Sequence, residues 1–296
     1  MTNLHVQAAN LGDAEAIDSL LSQCASAYLG RSRGSGEAAE RLRRPGTDAA
    51  LVLDLGTGDL LGFGHSWPSA DETKCFARVR PDATGRGVGT VLLTYLETRA
   101  TTGTISVTQW ATDIAGPALL RARGYTETLH QLQMWTPLPA HKQDTPVPAE
   151  VREFDPDRDS QGVFAAWCDA FGQQADEHDW WRERRDDPTV HFDPSLWLVS
   201  EDGEDITGFC LGRHRDDKVH GTVGYVGDVG VRPQWRGRGL GFALLTRMLE
   251  RFTSSGLPAA GLDVDAANLT GALRLYAKAG MQPRPNFTVW SKQLAA

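Results

Sequence analysis

A glycine-rich stretch occurs twice in this chain: VRPDATGRGVG from Val79 and VRPQWRGRGLG from Val231. The copies lie 152 residues apart, and a later glycine pair, Gly124 and Gly280, lies 156 apart. A small drift of this kind is what loop insertions leave behind in a duplicated chain. With 296 residues, each half is long enough to bury its own core. Residues 136–150, TPLPAHKQDTPVPAE, are rich in proline and polar side chains and lack apolar periodicity, which reads as a linker. The expected organisation is a first domain over 1–137, a linker over 138–149 and a second domain over 150–296.

The same order of elements is expected on both sides of that linker. In the first half LHVQAA reads as a strand, followed by a helix that gathers Ile17, Leu20, Leu21, Cys24 and Tyr28 on one face. Asp13 is the expected cap of that helix. The strand readings AALVLDL, LLGFGHSW and CFARVRP lead into the glycine loop and the apolar helix TVLLTYLETRA. TISVTQW, GPALLRARGY and LHQLQMW then read as strand, helix and last strand. The second half repeats the plan from EVREF to FTVWSKQL, with Phe164, Trp167, Cys168 and Phe171 at helical spacing. Such stripes are core faces. The fold class is therefore α/β (α+β), a mixed, mostly antiparallel sheet flanked by helices, present twice.

Bulk properties narrow the partners. The formal net charge of −8 argues against nucleic acid and anionic membranes and suits a cationic substrate. Cys24, Cys75, Cys168 and Cys210 are scattered without CxxC or metal-like spacing, and the eight histidines form no metal-spaced cluster, so no metal is expected. The start, MTNLHVQAANLGDAEAI, has neither a basic n-region nor an apolar h-region, and no run is long enough to span a membrane. A cytoplasmic protein with reduced thiols is expected, either a monomer or a homodimer.

In the second copy, RGRGLG sits between a strand and an apolar helix. Glycines let successive backbone N–H groups turn toward one anion, and the helix adds its positive end, which together cradle a pyrophosphate. GxxxxGK[ST] is absent, and GxGxxG fails because Phe242 fills its third glycine position. VRPQWRGRGLG instead resembles the acyl-CoA signature Q/R-x-x-G-x-G/A of the GCN5-related N-acetyltransferase (GNAT) superfamily, with Gln234, Gly237 and Gly239 in place. DVDAANLTGALRLYAKAGM resembles that superfamily's later N…A…LY…GF segment, with Met281 where phenylalanine is usual.

The resemblance implies a tandem protein that uses acetyl-CoA, or another short acyl-CoA, as co-substrate and a small-molecule amine as acceptor. It implies a loop site of Gln234, Arg236, Gly237, Arg238, Gly239, Leu240 and Gly241 around the pyrophosphate. It further implies that backbone groups of Val229, Gly230 and Val231 meet the pantetheine arm, and that Asn268 steadies it.

Acyl transfer from a thioester to an amine needs a neutral amine, a donor for the carbonyl oxygen and a proton for the leaving thiolate. Tyr276 matches the superfamily's usual acid; the other reading is an ordinary interfacial tyrosine. Asp228 precedes the cofactor strand by one residue and is polar in an apolar context. It accepts the amine proton, binds an ammonium, or is a plain edge-strand carboxylate. In the first copy Asp82, Ala83 and Thr84 replace Gln234, Trp235 and Arg236, while Phe76, Leu120 and Thr112 replace Asp228, Tyr276 and Asn268. Gly85, Arg86, Gly87, Val88 and Gly89 remain as a possible second cofactor site, but a leucine and a phenylalanine transfer no protons.

Acceptor choice has no signature. ADEHDWWRERRDD combines acids and tryptophans on an expected helix, whose Asp176, Glu177 and Asp179 suit a cationic amine or are only a solvated face. The tandem arrangement also resembles the mycothiol synthase type, which acetylates the cysteine amine of a glucosamine–inositol precursor. Tyr225 stands where that type carries a glutamate, and NLTGALRLY is one residue longer between asparagine and tyrosine. An acyl-CoA sensor or scaffold without turnover is the reading from another class. GHSWP departs from GxSxG, so direct transfer without a covalent intermediate is expected.

Overall fold

The computed structural model describes residues 4–30, 36–69, 71–140, 151–186, 192–217, 220–267 and 271–294. They form two compact units, one of residues 1–131 and 285–296 and the other of residues 132–284.

The first unit carries β1 (Leu4–Ala8), α1 (Ala14–Leu29), α2 (Glu37–Arg43), β2 (Asp48–Asp54), β3 (Leu60–Ser69) and β4 (Glu72–Val79). α3 (Val88–Glu97), β5 (Thr104–Trp110) and α4 (Ala115–Ala122) follow, and then the start of β6 (Thr126–Pro137). β1 to β4 pair antiparallel in sequence order, and β4 pairs β5 parallel. Ile17, Leu20, Leu21, Cys24 and Ala25 of α1 are buried on one face of the sheet, and Val88, Leu92, Leu93 and Leu96 of α3 on the other. The cap at the first helix differs from the expectation. Asn10 accepts the Gly12 N–H, and the Asp13 carboxylate reaches back to the Asn10 N–H, so Asn10 and not Asp13 opens the turn.

The second unit repeats the order with β7 (Val151–Glu153), α5 (Pro156–Phe171), α6 (Glu177–Trp181), β8 (Trp197–Asp202), β9 (Asp205–Asp217) and β10 (Gly221–Val231). α7 (Leu240–Ser254), β11 (Ala259–Asp265), α8 (Ala272–Lys278) and the start of β12 (Gln282–Gln293) complete it. β7 to β10 are antiparallel, and β10 runs parallel to β11. Both units therefore have the mixed, mostly antiparallel sheet expected from the sequence. Trp180, Trp181, Trp197 and Phe154 pack with α5 on one face, while α7 and α8 cover the other.

The last strands depart from the expected boundaries at 137 and 150. β12 pairs antiparallel with β5 from Phe287↔Trp110 to Gln293↔Thr104, and Trp290 is buried in the first unit's core. The later part of β6 neighbours β11, and Met134 is buried in the second unit's core. Each unit thus takes its last strand from the other half of the chain. The reason is physical: a strand is fixed by burying its apolar face, and both last strands offer similar faces. Of the expected linker, residues 141–149 lie outside the described residues.

Candidate active site

In parallel strands that separate, the backbone groups facing the gap lose their ladder partners and become available to a ligand. β10 pairs with β11 only at Gly224↔Ala260 and Tyr225↔Gly261. Beyond Tyr225 the two strands form a wedge. Against β9, a bulge between Val226 and Asp228 leaves Gly227 as the extra residue. The Arg232 N–H reaches Thr207 O toward β9, so by alternation Val229 and Val231 present their backbone groups to the wedge. The Val231 carbonyl accepts from Arg236 Nε at 3.1 Å.

At the end of β10 the chain turns through a 3₁₀ turn, Pro233–Trp235, into the glycine loop. Gly237 and Gly239 adopt φ of +77° and +83°, a region that side chains disfavour. Gly239 caps α7 without any side-chain bond, so the helix's first N–H groups face outward as an anion site. A Cβ on Gly241 would lie 3.0 Å from Leu275 Cδ1, so this glycine lets α7 approach α8. Arg238 bonds the Gln234 carbonyl. Arg236 bonds the carbonyls of Val231 and Ala170, a brace from the loop to the end of α5. Glycine geometry, an uncapped helix start and an open strand edge fit a ligand with a pyrophosphate and an amide-bearing arm. Asn268 lies outside the described residues.

Tyr276, on α8, is 7% exposed and packs in the core under the wedge. Its hydroxyl has no hydrogen-bond partner among the described residues. Burial pushes its pKa up to about 12, and the neighbouring Cys210 thiol and Asp228 carboxylate push in the same direction. Cys210 is the β9 register partner of Val229. Tyr276 is therefore held protonated beside the strand that borders the wedge.

The Asp228 carboxylate faces α5 and the turn Arg182–Asp186 that follows α6. Asp228 Oδ1 accepts from Trp167 Nε1 at 3.3 Å, and Oδ2 accepts from Arg184 Nε at 3.0 Å. The Arg184 guanidinium lies 4.6 Å from the Trp180 ring centroid and 5.0 Å from that of Trp167. Asp228 and Arg184 border a cavity of ≈ 270 Å³ with Tyr225, Arg213, Trp197 and Glu183. Tyr225 donates to Asp263 Oδ2 at 3.1 Å. Burial is the main reason that the Tyr225 pKa rises to about 12.

Several of these residues escaped the sequence reading. The acids expected to border the acceptor pocket, Asp176, Glu177 and Asp179, are exposed; Asp176 caps α6 by accepting the Asp179 N–H. The chain reaches the cavity one turn later, through Glu183 and Arg184 of the π-helical turn Arg182–Asp186. Asp176, His178 and Asp179 are also the one set of converging metal-ligand types among the described residues, and all three are exposed. The bulge had a signal, since Gly227 interrupts an apolar strand just before Asp228. Arg184 and Trp167 had none.

The first unit repeats the loop with different contents. Gly85 and Gly87 have φ of +79° and +87°, and a Cβ on Gly89 would lie 2.8 Å from Leu119 Cδ2. Arg86 is paired with Asp54 at 2.6 Å, and Val88 is buried at the start of α3. β4 stays paired with β5 through Phe76↔Thr108. Phe76 and Leu120 are buried in the apolar cores.

Comparisons with known proteins agree with this geometry. Residues 160–281 match the acetyltransferase (GNAT) family. A mycothiol acetyltransferase of Thermobispora bispora is 34% identical over 268 residues, covering 84% of each chain. The crystal structure of a GCN5-related N-acetyltransferase from Sphaerobacter thermophilus superposes with a TM-score of 0.75 at 27% identity, over 99% of this chain and 96% of that one. A tandem GNAT protein from the clavulanic acid biosynthesis pathway shares the fold, with a TM-score of 0.66 at 16% identity over 99% of both chains. Among the described residues, no helix is long and apolar enough to cross a membrane. The chain belongs to the GNAT acetyltransferase family and is an acyl-CoA-dependent N-acetyltransferase.

Proposed function

We propose that the second unit transfers an acetyl group from acetyl-CoA to the cysteinyl amine of a glucosamine–inositol precursor, the reaction of mycothiol synthesis. The observation that carries this reading is the meeting, in that unit alone, of an open strand edge at Val229, a protonated buried Tyr276 and a carboxylate, Asp228. The chain's similarity to the Thermobispora mycothiol acetyltransferase supports the choice of acceptor.

The loop from Gly237 to Gly241, with Gln234 at its entry, holds the pyrophosphate on backbone N–H groups and the start of α7. The wedge-facing backbone groups of Val229 and the Val231 N–H align the pantetheine arm and give the carbonyl oxygen its donor; Gly230, expected from the sequence to join them, instead faces β9 opposite Phe209. The co-substrate supplies an activated acetyl carbon. Arg236 serves the site through its brace to Ala170, keeping the loop against α5.

Asp228 binds the acceptor as an ammonium, with Trp167 orienting the carboxylate, and takes the proton that the nitrogen must shed before it attacks. As the nitrogen–carbon bond forms and the carbon–sulfur bond breaks, Tyr276 gives its proton to the sulfur. A buried tyrosine at about 12 keeps that proton at neutral pH. Donation is favoured because the sulfur departs into the same desolvated wedge, which raises the thiol's own pKa above its ordinary value of about 8.5.

The test is acetyl transfer from acetyl-CoA to that cysteinyl precursor, followed by mass spectrometry of the product. An added acetyl group on the cysteinyl nitrogen supports the reading. Turnover of other amines with none of this one removes it. The second reading, a different small cationic amine, draws on Tyr225: its hydroxyl is engaged with Asp263 where the mycothiol synthase type carries a glutamate.

A further inference from the structure

The first unit contains a long side chain where the second has a glycine with no room for one. Arg78 corresponds to Gly230 at the 152-residue offset. It is 3% exposed, and its guanidinium carbon lies 4.1 Å from the Phe76 ring centroid and 4.0 Å from that of Trp110. Arg78 Nη1 donates to Ala77 O at 2.7 Å on β4 and to Thr108 O at 3.1 Å on β5. One nitrogen therefore spans the two strands where their ladder stops, one residue past Phe76↔Thr108.

The backbone direction explains what this does. The Arg80 N–H reaches Leu61 O on β3, so Ala77 and Val79 face the wedge, as Val229 and Val231 do in the second unit. Both of their carbonyls are occupied from within the unit. Ala77 O accepts from Arg78, and Val79 O accepts from Cys24 Sγ at 3.3 Å; Val231 O is likewise engaged, by Arg236, so the two units differ at Ala77 and its counterpart Val229. A cavity of ≈ 400 Å³ still runs from Gly85, Gly87 and Thr90 to Arg78 and Gln109. Its phosphate end keeps its shape, but its strand edge is filled. In the second unit the same filling is impossible, because a Cβ on Gly230 would lie 2.5 Å from Phe209 Cζ and 3.0 Å from Ala170 Cβ.

We propose that Arg78 is a built-in occupant that closes the first wedge to the acyl-pantetheine arm, and so assigns acyl-CoA to the second unit alone. This rests on the reading that such a wedge is where the arm lies. Removing the guanidinium frees Ala77 O and Thr108 O and leaves the glycine loop untouched, so it opens a second acyl-CoA site.

The test titrates acetyl-CoA into the full chain and into Arg78→Gly by calorimetry. The expected stoichiometry rises from one site to two. Arg78→Ala, which also removes the donor but avoids a glycine in the strand, guards against a folding defect, and thermal unfolding of each variant checks that the first unit remains intact. Combining Arg78→Gly with Gly239→Trp isolates the new site, and the count then falls back to one. The proposal is judged on the difference between variant and parent: an added site supports it, and no added site in folded variants overturns it. The parent's own count separately judges whether the second unit binds acetyl-CoA.

Discussion

The wedges of the two units have the same frame and opposite contents. In the first, β4 and β5 stay paired through Phe76, and a guanidinium and a thiol then occupy the carbonyls beyond. In the second, β10 leaves β11 after Tyr225, and Asp228, at the place of Phe76, borders the cavity of ≈ 270 Å³. The glycines of the two loops repeat in backbone conformation and in packing. Gly89 against Leu119 and Val79 repeats Gly241 against Leu275 and Val231. The difference teaches that packing outlasted chemistry after duplication. Glycines that let helices approach the sheet are needed by either unit in order to fold, whereas on the proposed mechanism a proton donor and a carboxylate are needed only in the second unit.

The largest effect that distinguishes the units is expected at the acid. Tyr276→Phe lowers kcat by roughly 10²-fold or more, while Leu120→Tyr in the first unit changes the rate little. Because burial holds Tyr276 near 12, the wild-type rate shows no decline at pH 10, where an ordinary tyrosine would ionise. A decline there, absent in Tyr276→Phe, would place its ionisation in the ordinary range and remove the account of a desolvated acid.

Next comes a pair of substitutions for which the units are expected to agree. Gly89→Val and Gly241→Val each drive side-chain atoms into a helix leucine, with contacts at 2.8 and 3.0 Å already for the Cβ. Each costs about 1–3 kcal/mol of stability by overpacking, measurable by denaturant unfolding. If only one unit responds, the repeated packing is not a shared requirement. Asp228→Asn is expected to reduce kcat/KM for a cationic amine by roughly 10²-fold, the low end for loss of a proton acceptor that also binds the ammonium. Unchanged kcat/KM would demote Asp228 to a partner of Arg184 and Trp167.

The smallest effect is a pH dependence confined to the first unit. His65 is fully buried and accepts from Arg41, and burial together with Arg41, Arg44 and Arg78 lowers its pKa to about 3. An unfolded histidine, near 6.5, binds a proton that the folded one refuses, so the unfolded state holds more protons as pH falls below that value. Stability is therefore lost from about pH 6.5 down toward 3, by about 1 kcal/mol between pH 7 and 5.5. His65→Gln, which keeps an acceptor for Arg41, flattens this part of the unfolding profile; an equally steep profile would assign it to other groups.

Much of the frame was legible because it is local. The glycine loop, the apolar helices after it and the order of strands repeat in the sequence, and Tyr276 sits in a recognisable segment. The exchange of last strands was not legible, since β6 and β12 carry similar patterns and nothing local says which sheet each joins. The surroundings of Asp228 were also hidden. Arg184 reaches Asp228 across 44 residues of chain, and Trp167 across 61, through contacts that no periodicity encodes. Arg78 was readable only as an arginine opposite Gly230; its span of two carbonyls depends on where the strands part.

The most direct measurement of the central claim is the acetyl-transfer rate of Gly239→Trp beside that of Gly87→Trp. Both glycines hold positive φ at the start of their helices, +83° and +87°, so the two substitutions impose comparable strain. The account predicts that Gly239→Trp abolishes transfer and that Gly87→Trp leaves it nearly intact, provided both chains stay folded. Equal loss in the two variants, or survival of activity in Gly239→Trp, would contradict a single active unit.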